Sequence, residues 1–144
     1  MGGVPERFEK GPHGKPRLAG ADGWLRFNLS HSGDVTLLAV ARDSEVGVDV
    51  ERIRPVIEMR AIARRWLRRD DIADEREFLR AWTRHEAMLK ALGVGLSGTV
   101  ESFDGVVAEI DAGPGYAAAV SVLAPQVKCV SLVWPLFQKG AIPG

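Results

Sequence analysis

From Val46 to Glu51 the chain reads Val-Gly-Val-Asp-Val-Glu, valines alternating with small or acidic residues. Successive side chains of a strand point to opposite faces. The pattern therefore predicts a strand that sends Val46, Val48 and Val50 into a core. Asp49 and Glu51 then project together from the other face, two oxygen ligands that need no loop to align them. Downstream, Asp74 to Leu92 has helical periodicity, with Phe78, Trp82 and Leu89 as its core stripe and Gly93 and Gly95 as its exit. On that helix Glu86 and Lys90 are four residues apart and share a face, a negative and a positive group side by side.

Around these two elements the sequence predicts an α+β domain in which an antiparallel sheet packs with helices. A short irregular lead runs to Gly23. Strands follow near Trp24 to Leu29, Val35 to Ala41 and Glu45 to Glu51, then a helix over Ile57 to Arg68. Three further strands fit Ser102 to Ile110, Gly115 to Leu123 and Val127 to Trp134, with Gly and Pro at the joints. Gln138 to Gly144 reads as a loose tail. With 144 residues, one core is the working count.

Hard oxygen ligands without a cysteine cluster favour magnesium over zinc. Magnesium typically takes one or two carboxylates and completes its shell with water and phosphate oxygens. Upstream, Gly14-Lys15-Pro16 sets a cation between backbone-constraining residues, and Asn28-Leu29-Ser30-His31-Ser32 closes an apolar strand with hydroxyls and an imidazole. These groups suit an anion such as phosphate. Each piece also has a plainer reading: a solvated strand face, a surface ion pair worth about 0.2–0.5 kcal/mol, or serines satisfying local backbone groups. Their combination is what points to a metal-bound polyphosphate.

In order, GKPRL, FNLSHSGD, GVDVERIRP and AWTRHEAMLKALGVGL resemble the motifs of the 4′-phosphopantetheinyl transferases of the surfactin-synthetase type, over about residues 11 to 98. The segment from Gly115 to Trp134 is similar to that family's closing strands. The resemblance implies a magnesium ion held by Asp49, Glu51 and Glu86, and coenzyme A as the substrate whose phosphopantetheine arm passes to a serine of an apo acyl or peptidyl carrier protein, releasing 3′,5′-adenosine bisphosphate. It implies that Lys90 contacts the pyrophosphate, Ser30 and His31 the coenzyme A phosphates, and Lys15 the nucleotide end. Glu86 and Lys90 are then the catalytic pair, with Glu86 taking the serine proton directly or through a water.

Two departures accompany the resemblance. His85 stands where the family usually has lysine. The family is built as a pseudo-dimer of two similar halves, whereas here residues 1–44 match only the end of the first half and 45–136 the second. The expected consequence is an exposed apolar face and an unpaired strand edge, which recruit a second copy, a completing subunit or the rest of a longer polypeptide. The competing class is a catalytically impaired module that binds coenzyme A or a carrier. An unrelated magnesium-dependent phosphohydrolase ranks behind both, because it leaves the order of the upstream motifs unexplained.

Nineteen basic residues balance nineteen acidic ones, which argues against a general nucleic-acid binder. Arg60, Arg64, Arg65, Arg68 and Arg69 nonetheless crowd one segment, a basic face suited to an acidic carrier or simply to solvent. No apolar run nears the roughly 20 residues of a membrane span and the start lacks a signal pattern, so the expectation is a cytoplasmic chain with no membrane. Cys129, the sole cysteine, sits in an apolar run and reads as a core filler.

Overall fold

The computed structural model describes residues 8–11, 14–18, 24–95, 98 and 100–132. It is a mixed α and β fold with antiparallel sheets. Strands β1 (Phe8–Lys10) and β2 (Pro16–Leu18) pair as a small hairpin, β3 (Leu25–Ser32) and β4 (Val35–Arg42) as a larger one, and β5 (Val46–Arg52), β6 (Val106–Glu109) and β7 (Tyr116–Val122) form a sheet in the order β5-β7-β6. Helix α1 (Met59–Ile62) runs into a π-helical turn at Ala63–Leu67, and α2 is Glu75–Leu92.

The β5-β7-β6 sheet is central because α2 lies across one of its faces. Pairing sets Gly47 opposite Ser121, Asp49 opposite Ala119 and Glu51 opposite Ala117, so these six residues share the face under the helix. Small side chains let α2 approach closely: Ala117, Ala119 and Ser121 are all buried. Gly47 has no alternative there, since a Cβ would run into the Ala87 carbonyl and crowd the Ala91 amide. Helix α2 begins at Asp74, whose side chain accepts from the Glu77 amide at 2.8 Å, and stops at Gly93 with φ 71°. Phe78 and Leu79 bury against Ala63 and Ile72, and Trp82 stacks on Phe78 at 5.8 Å, a structural role.

The outer edge of β5 is sealed by side chains. In register with β7, its even-numbered residues turn their amides and carbonyls away from the pairing, an edge open to another strand. Asn28 Oδ1, Ser30 Oγ and Ser32 Oγ, every second residue of β3, accept from the amides of Val48, Val50 and Arg52 at 2.9, 3.2 and 2.9 Å. The carbonyls of Val46 and Val48 accept from Lys15 Nζ and Lys90 Nζ, both at 2.9 Å. Polar residues that read as an anion motif thus also stitch the β3–β4 hairpin to the main sheet. The opposite face of that hairpin carries Leu29, Leu38 and Val40, 49%, 61% and 57% exposed.

Several expectations need correction. The lead to Gly23 is not irregular throughout, for residues 8–10 and 16–18 pair; strands of three residues are too short to show an alternation. The first helix is broken: Glu58 (φ 56°) begins α1 and Arg68 (φ 54°) ends the π-helical turn, so regular α geometry covers four residues only. The strand expected over Ser102 to Ile110 is limited to Val106–Glu109. No strand forms over residues 127–132, because β7 already has a neighbour on each side and Pro125 turns the chain away. Cys129 is accordingly exposed rather than a core filler. Residues 133–134 of that strand and the tail 138–144 lie outside the described residues. Among the described residues, no helix is long and apolar enough to cross a membrane.

Candidate functional site

The acids of β5 meet α2 in a cluster of largely buried charges. Asp49 is 6% exposed and Glu86 8%, so neither is the solvated carboxylate that a polar strand face suggests. Lys90 Nζ contacts Asp49 Oδ1 at 2.7 Å, and Ser30 Oγ donates to that same oxygen at 3.2 Å. Among the described residues, Asp49 Oδ2 and Glu86 Oε1 are buried with no hydrogen-bond partner. A buried acceptor without a donor typically costs about 1–3 kcal/mol, more when charged.

The electrostatics carry the same message. Burial is the largest cause lifting Glu86 to about pH 7, followed by repulsion from Asp49; Lys90 opposes the rise and Glu51 adds to it. Burial also raises Asp49 despite the Lys90 ammonium beside it, and Glu51 pushes in the same direction. One ammonium therefore under-compensates three acids.

Asp49, Glu86 and Lys90 are in one place. Glu51 shares their face, but its Oε2 turns to Arg54 at 2.7 Å. Among the described residues, accordingly, no three His, Cys, Asp or Glu side chains close around a single point as a ready metal cage. Two unpartnered buried carboxylate oxygens beside a third carboxylate still suit magnesium, which needs only one or two protein ligands. Arg54 was missed in the sequence, although its position three residues after Glu51 was visible there.

The upstream residues separate into two kinds. Ser30 bridges Asp49 and the Val50 amide, holding the carboxylate in place rather than standing free. Lys15 is 15% exposed, and its ammonium donates to Glu45 Oε2, the Val46 carbonyl and the Lys90 carbonyl at 3.0, 2.9 and 3.0 Å. It bolts the β1–β2 hairpin to β5 and α2, with no donor left for a nucleotide. Burial works against the charge of Glu45, but Lys15 and Arg26 outweigh it and hold that carboxyl below its usual range. His31 is exposed on β3 beside the strand's turn. His85 is buried, which pushes its imidazole below the usual pKa, and its Nε2 has no partner among the described residues.

Two buried carboxylates with unpartnered oxygens beside a lysine, on an α+β scaffold, make a donor set that fits a divalent cation. The model of the 4′-phosphopantetheinyl transferase superfamily matches residues 45–133, from the foot of β5 past β7, and the chain belongs to that superfamily. Similar proteins include the 4′-phosphopantetheinyl transferase HetI of a Nostoc species, 37% identical over 102 residues that make up 63% of this chain and 43% of the relative. The 4′-phosphopantetheinyl transferase AcpT of Salmonella typhimurium is 42% identical over 93 residues, 58% of this chain and 47% of the relative. The 4′-phosphopantetheinyl transferase psf-1 of Bacillus pumilus is 37% identical over 111 residues, 71% and 46% respectively. The matched stretch is thus less than half the length of each of these relatives.

Proposed function

We propose that this chain transfers the 4′-phosphopantetheine arm of coenzyme A to a serine of an apo acyl or peptidyl carrier protein, with 3′,5′-adenosine bisphosphate as the other product. The observation that carries the reading is the pair of unpartnered buried oxygens, Asp49 Oδ2 and Glu86 Oε1, beside Lys90 within a stretch matched to the superfamily. In the transfer, the serine oxygen forms a bond to the phosphorus that carries the pantetheine arm, and the bond from that phosphorus to the departing adenosine bisphosphate breaks. Glu86 would accept the serine proton, directly or through a water. Such positioned proton transfer typically contributes about 10²–10⁴-fold.

Asp49 and Glu86 would hold magnesium, with Glu51 joining if it exchanges Arg54 for the ion. The ion would neutralise charge on the pyrophosphate. Lys90 sits where it can balance the same charge, and Ser30 keeps Asp49 oriented. His31, free on the hairpin, remains the proposed contact to a coenzyme A phosphate.

The chain corresponds on this reading to the second half of a pseudo-dimer with the edge of the first, residues 1–44 and 45–136. The exposed Leu29, Leu38 and Val40 favour a cover supplied by a second copy, a completing subunit or further polypeptide.

Incubation with coenzyme A, magnesium and apo carrier proteins, followed by intact mass, tests the function. One phosphopantetheine increment is expected with the natural chain and none with Glu86→Gln, which should weaken coenzyme A binding far less than it weakens transfer. Binding of coenzyme A with no increment on any carrier would favour the impaired-module reading instead.

A further inference from the structure

Arg54 leaves the acid strand at its end and stands at the rim of the acid cluster. Exposure falls going inward: the side chain of Arg54 is 53% exposed, that of Glu51 23% and that of Asp49 9%. The backbone of Arg54 is held on both sides. The Ile53 amide donates to the Gly115 carbonyl at 2.8 Å and the Ile53 side chain packs against the core, while Pro55 restrains the residue before it. Only one guanidinium nitrogen is engaged: Nη1 donates to Glu51 Oε2 at 2.7 Å and to the Arg52 carbonyl at 3.0 Å. Nε and Nη2 donate to nothing among the described residues. Those two nitrogens form an edge with which arginine grips an oxyanion bidentately. Elsewhere that edge is spent within the chain, on Asp71 by Arg69 at 2.8 and 2.7 Å and on Glu109 by Arg80 at 3.1 and 2.7 Å.

We propose that Arg54 is a further substrate-binding residue of this site: its free Nε and Nη2 edge takes phosphate oxygens of the coenzyme A pyrophosphate, while Nη1 yields Glu51 to the cation. The choice of ligand rests on the proposed transfer; the competition with a cation at Glu51 does not. Charge drives the exchange. Lys90 leaves part of the negative charge of Asp49, Glu51 and Glu86 uncompensated, and a divalent ion supplies what is missing. A guanidinium still seated on Glu51 would then face a charge of its own sign. A polyphosphate beside the ion gives it a new acceptor, on the edge that is already free. Arginine suits this task better than lysine because its rigid fork fixes the orientation of the phosphate as well as balancing its charge. One side chain therefore opposes the ion and favours the substrate.

Calorimetric titrations of the full chain test the assignment. Arg54→Gln should bind magnesium about two- to fivefold more tightly with no coenzyme A present, the effect of removing an exposed ion pair from Glu51. The same variant should bind coenzyme A about tenfold more weakly at saturating magnesium. Arg54→Lys keeps the charge and loses the fork, so its magnesium affinity should stay near that of the natural chain while most of the loss for coenzyme A persists. Arg52→Gln removes the same charge from the opposite face of β5 and should change neither affinity by more than about twofold, which separates contact from long-range field. The loss in Arg54→Gln should be equal for 3′-dephospho-coenzyme A, which retains the pyrophosphate. Unchanged coenzyme A affinity in Arg54→Gln overturns the proposal, as does a loss that Arg52→Gln reproduces, that Arg54→Lys restores in full, or that is confined to the ligand with the 3′-phosphate. A natural chain that binds magnesium but no coenzyme A defeats the proposed function together with this assignment. Normal coenzyme A binding and transfer that are indifferent to Arg54 defeat this assignment alone.

Discussion

Lys15 shows how a residue type underdetermines its role. A lysine between Gly14 and Pro16 reads as a phosphate contact, yet its ammonium is spent on one carboxylate and two carbonyls within the chain. Nothing local in the sequence encodes acceptors 30, 31 and 75 residues away. Lys15→Met should therefore destabilise the fold by about 1–3 kcal/mol, the cost of leaving partly buried acceptors unpaired, as measured by urea unfolding. A variant with unchanged stability and a raised KM for coenzyme A would return Lys15 to the cofactor. The shared faces of Asp49 with Glu51 and of Glu86 with Lys90 were legible because strand alternation and the i,i+4 rule act over a few residues. The turn of Glu51 toward Arg54 was not, since it is decided by competition between a nearby cation and two distant acids.

Among elements, β5 and α2 followed from periodicity, and the register of the sheet explains why they meet. The odd face of β5 is built from Gly47, Asp49 and Glu51, and that face lies against a helix rather than water. Gly47→Val should cost about 1–3 kcal/mol or more through overpacking, because the colliding groups are helix backbone and cannot step aside. Urea unfolding that matches the natural chain would contradict this packing. The elements that escaped the sequence are those without a period: strands of three residues, a helix that becomes a π-helical turn, and an apolar run at Val127 that finds no free place beside β7. The β5 edge was partly legible. Asn28, Ser30 and Ser32 were noted for polarity, but their every-second-residue spacing is also what lets them reach three alternate amides of one strand.

For the molecule as a whole, the central feature is an excess of buried negative charge in one place. Glu86 holds its proton up to about pH 7, above the ordinary value of 4.5, so between these limits the folded chain binds more protons than the unfolded one. Stability from this group is fully present below pH 4.5 and is lost as pH rises through about 7. Asp49, also raised, acts in the same direction. A divalent ion reverses the balance by favouring the charged carboxylates, so its binding must displace protons. Calorimetric titration of the chain with magnesium in buffers of different ionisation enthalpy, at pH 6 and pH 8, reads this directly. The expected result is one ion per chain, tighter at pH 8, with protons released at pH 6 and binding lost in both Asp49→Asn and Glu86→Gln. Magnesium binding that survives both substitutions with no proton release would contradict a cation site built on these acids.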